Sequence, residues 1–341
     1  MKNSTCKQIS LLALLALAAV GCAKEDTINT GEKAQMYLKM FIEKYYPYVE
    51  ENEYGLFVLE DTPGTGRLWS ADSAYTYAST TIRALDGTIT STTDENLARQ
   101  LGTYVWGNYY GPKYQQLGEN VSYAGLDRLF TGMRQGGTRK AIIPSWLLST
   151  KRYGTEKEYI DACSSEQHLE YTVTLVSQST DITQTEKDSL ARYVKRHYGD
   201  IQPSAYNEYD ADGSFYFISD STAFIGKDRF PADTTIKINY TGMLLNGQVF
   251  DTTVEKVAKD AGIYKSSRKY EPSSLTVSTN YSEFKLDDNS VITGFEAGLK
   301  KMRWLGQHAT VIFISSIGYQ SSGSGATIPP YSPLLFELEL Q

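Results

Sequence analysis

The chain reads as an α+β protein in which one pattern is used twice, each copy a curved antiparallel β-sheet wrapped on a short α-helix and preceded by an amphipathic helix. Three observations predict this. Similar segments recur in the same order in both halves, the segment that closes each half alternates apolar and polar residues, and a short glycine-containing helix ending in methionine precedes those closing strands. Alternation at period two marks a half-buried antiparallel strand. A helix laid on one face of such a sheet is the α+β arrangement.

The first amphipathic helix is expected from about Gly31 to Tyr46, with Tyr37, Met40, Phe41 and Tyr45 on one face and Pro47 stopping it. Its counterpart has Thr183 and Glu186 at capping-box spacing, Leu190, Tyr193, Val194 and His197 at helical spacing, and Gly199 at its end. A short strand follows each helix, GLFVLE (55–60) and SFYFIS (214–219), and then a hairpin around LDG (85–87) or LNG (245–247). The short helices are GLDRLFTGM (125–133) and GFEAGLKKM (294–302). They lead to the apolar strands TRKAIIP (138–144) and HATVIFIS (308–315), and the copies close in LEYTVTLV (169–176) and LLFELEL (334–340). Each copy also carries an insertion, at about 92–120 and 254–282, the second opening with a helix from Val254 to Asp260. The insertions read as surface decoration, with partner binding by exposed tyrosines as the alternative.

The 341 residues, 41% hydrophobic and 21% charged, suit two soluble domains. Lys2 and Lys7, an apolar run from Ile9 to Val20, and LAAVGC (17–22) read as a secretory signal ending in a lipobox. The lipidated N-terminus is then Cys22, and the protein is expected at the outer membrane, facing the periplasm or the cell surface, attached through the acyl anchor. Lys24, Glu25 and Asp26 resemble a surface-export signal and also read as a charged tether. Without residues 1–21 the chain keeps 31 basic and 40 acidic residues, net −9, which disfavours nucleic acid as a partner. Only Cys163 then remains of the other cysteines, so no intramolecular disulfide is expected. The three histidines show no metal-ligand spacing, and no cofactor or metal is expected. Cys163 and His168 stand close in sequence but in no recognisable catalytic context.

Three blocks carry the chemistry: NYTGMLLNGQVFDTT (239–253), VITGFEAGLKKM (291–302) and ATIPPYSPLLFELEL (326–340). In that order they resemble the FKBP-type peptidyl-prolyl cis-trans isomerases. The resemblance covers the second copy and aligns without a gap from Val291 to Leu340. It implies isomerisation of X-Pro bonds in polypeptide clients, at an apolar pocket with a few hydrogen-bonding groups. Tyr240, Asp251 and Tyr319 match the positions taken as catalytic. Phe250, Val291, Ile292, Phe295, Ile328 and Phe336 match the substrate-binding walls, and the Ile328 backbone N–H matches one that faces the ligand. The expected organisation is a signal over 1–21, a tether over 22–30, a helix plus degenerate copy over 31–180, a linker helix over 181–198 and the isomerase domain over 199–341.

The second copy also departs from the pattern. The floor, tryptophan in the family, is Phe295. A wall aromatic expected two positions before Phe284 falls on Ser282, with Tyr281 as a nearby substitute, and Gln320 replaces the glycine after the pocket tyrosine. These changes imply weak activity. The first copy lacks the pocket altogether: Thr80, Thr90, Ser91, Leu126 and Ser149 stand at the pocket positions and Tyr171 alone keeps an aromatic wall. Two other functions compete. One is a binding or scaffold lipoprotein on the same folds, gripping an envelope protein or peptide. The other is glycan binding, drawing on 26 tyrosines and four tryptophans.

Overall fold

A computed structural model describes residues 29–72, 74–119, 121–162, 167–201, 207–210, 212–219 and 228–341. The signal, Cys22 and Cys163 lie outside the described residues. Helix α1 (Thr30–Tyr45) opens the first copy, capped reciprocally by Asn29 and Glu32, and ends ahead of Pro47. Six strands follow: β1 (Phe57–Thr62), β2 (Tyr75–Ala84), β3 (Ile89–Thr92), β4 (Lys113–Gln116), β5 (Thr138–Ile143) and β6 (Leu169–Ser179). Among them lie α2 (Glu95–Gln100), α3 (Ala124–Phe130) and α4 (Glu156–Asp161). The second copy begins with α5 (Ile182–Tyr198) and continues through β7 (Asn207–Tyr209), β8 (Phe215–Ser219), β9 (Thr234–Leu244) and β10 (Val249–Thr252). Then come α6 (Glu255–Asp260), β11 (Ser273–Val277), β12 (Phe284–Leu286), α7 (Thr293–Lys301), β13 (His308–Phe313) and β14 (Leu334–Leu340).

The repeat holds at the level of topology. The first sheet runs β1-β5-β6-β2-β3 with β4 also on β2; the second runs β12-β11-β9-β14-β13-β8-β7 with β10 also on β9. The order β1-β5-β6-β2 thus corresponds to β8-β13-β14-β9, and every strand pairing is antiparallel. In both copies the short helix lies on one face of the sheet. Its approach is close enough to require glycine: a Cβ on Gly294 would come within 2.4 Å of the Phe313 ring, and one on Gly125 within 2.4 Å of Ile143 Cγ2. The amphipathic helix covers the opposite face. Leu190 and Val194 of α5 pack on Ile312, Ile314 and Leu335, and Leu38 and Ile42 of α1 pack on Ile142.

Two readings of these helices need correction. Tyr37, Met40 and Tyr45 do not face the sheet; they are 51%, 65% and 56% exposed, because the compact aliphatics Leu38 and Ile42 take the buried stripe. Thr183 and Glu186 form no capping box. Asp181 caps α5 by accepting from the Gln184 N–H at 3.0 Å. Glu186 turns inward instead, where its carboxylate accepts from the Ser315 N–H at 2.5 Å and the Ser315 hydroxyl at 2.6 Å. At Ser145, the serine in the same place of the first copy, the backbone N–H donates to His168 Nδ1 at 3.0 Å, and His168 Nε2 lies 2.9 Å from the Ala34 carbonyl. His168 is therefore a buried structural link with both ring nitrogens engaged.

The insertions are part of the repeat. Each opens with a short helix, α2 or α6, and ends in a strand, β4 or β11, paired to the long central strand. Between them, Tyr104 stacks on Tyr110 at 5.2 Å and Tyr264 on Tyr270 at 5.3 Å. The Val105 N–H donates to the Tyr110 hydroxyl, and the Lys265 N–H to that of Tyr270.

Candidate active site

The pocket begins with a backbone irregularity. Opposite β9, Val249 pairs with Met243 and Asp251 with Gly242, leaving Phe250 as the extra residue of a β-bulge. Successive side chains of a regular strand point to opposite faces, but a bulge resets that alternation. Phe250 and Asp251 consequently line the same cavity. Gly242 makes room for the rings of Phe250 and Phe336, since a Cβ there would sit 2.5 Å from the first and 2.8 Å from the second. The first copy keeps the bulge, at Thr90 between the Ile82–Ser91 and Arg83–Ile89 pairs, but Ile82 occupies the register position of Gly242.

The cavity holds about 390 Å3. All nine expected residues line it: Tyr240, Phe250, Asp251, Val291, Ile292, Phe295, Tyr319, Ile328 and Phe336. Phe295, only 3% exposed, forms the floor, edge-on to Phe336 at 4.6 Å and to Tyr240 at 5.7 Å. Phe250 meets Phe336 edge-on at 5.6 Å. Such tilted pairs hold the rings in fixed relative positions.

The polar groups form a chain. The Tyr240 hydroxyl donates to Asp251 Oδ2 at 2.7 Å, and Arg268 Nη1 donates to Asp251 Oδ1. Burial, reinforced by the Asp251 charge, pushes the Tyr240 phenol well above its ordinary value, so it stays a donor at neutral pH. Burial and then the Asp251 charge raise Tyr319 as well. Its hydroxyl makes no hydrogen bond to a described residue and remains available to a ligand. Arg268 comes from the second insertion, and sequence reading missed it. No motif marks it: at the constant spacing that relates the two insertions, the first copy has Asn108 in its place. Among the described residues no group of three His, Cys, Asp or Glu could hold a metal ion.

Two expectations are corrected by this geometry. Tyr281 does not replace the wall missing at Ser282; it is held away from the cavity by donating its hydroxyl to the Phe230 carbonyl at 2.7 Å, with the Arg229 guanidinium 3.7 Å from its ring centre. The Ile328 N–H is not free to meet a ligand. It donates to the Ser324 carbonyl at 3.1 Å, and the Ser324 N–H returns the bond to the Ile328 carbonyl. Gln320 takes the left-handed conformation, φ 54°, that glycine adopts with less strain.

Residues 226–341 match the family model described as FKBP-type peptidyl-prolyl cis-trans isomerase. Over these residues the second copy is similar to the FKBP-type family. It is 34% identical over 113 residues to a "Probable FKBP-type peptidyl-prolyl cis-trans isomerase" of Haemophilus influenzae, and 33% identical over 105 residues to "FK506-binding protein 2" of Dictyostelium discoideum. Those matches cover 33% and 31% of this chain but only 36% and 62% of the relatives' own lengths. The crystal structure of a peptidyl-prolyl cis-trans isomerase from Pseudomonas syringae pv. tomato aligns over 47% of this chain and 90% of its own, at 22% identity and a TM-score of 0.30. Within this copy, the nine residues matched to pocket positions line one cavity.

Proposed function

We propose that the second copy is a peptidyl-prolyl cis-trans isomerase acting on X-Pro bonds of polypeptides in the bacterial cell envelope, with Cys22 as a lipid anchor at the outer membrane. The observation that carries the reading is the convergence of four aromatic rings and the Tyr240–Asp251–Arg268 chain on one cavity. Rotation about a prolyl amide is slow because C–N resonance must be lost, a barrier of roughly 18–20 kcal/mol for peptide bonds. An apolar pocket disfavours the charge-separated planar form, and fixed donors hold the substrate carbonyl. Phe295 and Phe336 would seat the proline ring, while Tyr319 would donate to a substrate carbonyl. Asp251, its oxygens held by Tyr240 and Arg268, would keep a fixed negative charge at the pocket mouth. The test is the cis/trans rate of an apolar-X-Pro peptide with the parent chain and with Asp251→Ala and Tyr319→Phe. Loss in both variants supports the assignment; equal rates in all three proteins remove it.

A second reading is favoured by one observation, the pairing of the Ile328 N–H with Ser324. With that donor occupied and a phenylalanine floor, the pocket would grip a prolyl segment without turning it over. Peptide binding without rate acceleration would select this reading.

A further inference from the structure

The loop after Tyr319 walls two cavities. Ser324, Thr327 and Ile328 line the candidate active site, whereas Pro329, Pro330, Tyr331 and Pro333 line a second cavity of about 400 Å3 between the two copies. The first copy supplies Tyr77, Tyr109, Lys113 and Tyr114 to it, and α5 supplies Arg192. Contacts across the cleft fasten the wall. The Tyr109 N–H donates to the Ala326 carbonyl at 2.8 Å, the Tyr331 hydroxyl donates to Gln116 Oε1 at 3.3 Å, and Tyr331 meets Tyr75 edge-on at 5.2 Å. The cleft is thus preformed, of the size and mixed aromatic and polar character typical of binding pockets.

Its charge is unbalanced. Lys113 and Arg192 form no ion pair with a described residue. Among the described residues Glu186 is the one carboxylate lining the cleft, and both of its oxygens are taken by Ser315. Burial pulls the Lys113 ammonium below its ordinary value, a strain that an arriving anion would relieve. The remaining surface is tyrosine, proline, Leu244, Leu245 and Val176, interspersed with small polar groups such as Ser177, Ser189 and Asn246, which suits the apolar side chains and the backbone of an extended chain.

We propose that this cleft is a second polypeptide site, which takes an extended segment bearing an acidic side chain, the carboxylate going to Lys113 and Arg192 and the flanking apolar side chains to the tyrosine and proline walls. One polypeptide could then lie across the 324–333 wall with a prolyl bond in one cavity and an acidic segment in the other. The cleft site does not depend on turnover in the first cavity. This also gives the first copy a task that needs no isomerase pocket.

The test uses the full chain and a fluorescein-labelled, proline-free peptide of alternating glutamate and aromatic residues, followed by anisotropy. Binding should weaken at least tenfold in the Lys113→Glu/Arg192→Glu variant and on replacing the glutamates of the peptide by glutamine. The X-Pro isomerisation rate of the same variant should stay at the parental value, which separates this site from the first. If the charge-reversed protein loses its thermal transition, Lys113→Gln/Arg192→Gln takes its place. Failure of the parent to bind the peptide, equal binding of the glutamine peptide, or weakening by Phe250→Ala in place of the cleft variants would each overturn the proposal.

Discussion

The Tyr240 hydroxyl donates to Asp251 across the β9–β10 ladder at 2.7 Å, and the carboxylate's other oxygen is held by Arg268 from the second insertion. A half-buried carboxylate is thereby fixed by two donors from different segments. Removing the anion by Asp251→Ala should lower kcat/KM about tenfold or more, a loss of about 1.4 kcal/mol in transition-state stabilisation. Arg268→Ala, which frees the carboxylate without removing it, should cost less. Steady-state isomerisation of an apolar-X-Pro peptide checks the order; an Arg268→Ala effect larger than that of Asp251→Ala would contradict the proposed role.

The floor is a second point of attack. Phe295 packs against Tyr240 and Phe336 beneath a cavity of about 390 Å3, so a larger ring has somewhere to go. Phe295→Trp should raise kcat/KM, by up to about tenfold, through better dispersion contact and water exclusion around the proline ring. The variant must keep its thermal transition, because overpacking a core costs typically 1–3 kcal/mol. A well-folded variant no faster than the parent shows that the floor is not the limit.

These cavity walls were legible in the sequence because the second copy keeps its motif spacing. The order and type of the strands followed from alternation and turn chemistry in the same way. Arg268 and the Ile328–Ser324 pair were not legible: the first reaches Asp251 from a variable insertion, and the second is a backbone contact that side-chain identity does not encode. The burial of Leu38 in place of Tyr37 shows why aromatic spacing misled in α1. Two faces of that helix are apolar, and tertiary packing chose between them. Glu186 was misread for a related reason, as its capping-box spacing coincided with a long-range partner at Ser315.

That partner ties α5 to the second copy, so an independent domain that starts at residue 181 should be more stable than one that starts at residue 199. A fragment of residues 181–341 should unfold at markedly higher denaturant than one of 199–341, which loses Leu190 and Val194 from the Ile312, Ile314 and Leu335 surface. Leu-to-Ala changes at buried sites alone cost about 2–5 kcal/mol. Equal midpoints for the two fragments would show that the helix is only a linker.

Glu186→Ala should destabilise the second copy by about 1–3 kcal/mol, because the buried Ser315 N–H and hydroxyl lose their acceptor. Glu186→Gln, which keeps one acceptor oxygen, should lose less. Urea titration of the two variants tests the ranking.

Stability of the first copy should depend on pH through His168. Burial holds its pKa below the ordinary 6.5, so the folded imidazole stays neutral while the unfolded chain takes up a proton. The contribution is constant above about pH 6.5 and declines as pH falls below it, by up to about 1.4 kcal/mol per pH unit until the folded ring also titrates. Denaturation of residues 31–180 between pH 5 and 8 should show that slope, and His168→Gln should flatten it at lower overall stability. A slope unchanged in the variant would assign the effect to other groups.

Assignment of the activity to the second copy is tested by the prolyl cis/trans rate of the two halves, residues 31–180 and 181–341, on the same apolar-X-Pro peptide. Acceleration is expected from the second half alone, since Tyr240, Phe250, Asp251, Phe295 and Tyr319 meet in one cavity there, while Thr80, Thr90, Ser91, Leu126 and Ser149 replace them in the first. Acceleration by residues 31–180, or background rates from both folded halves, would contradict it.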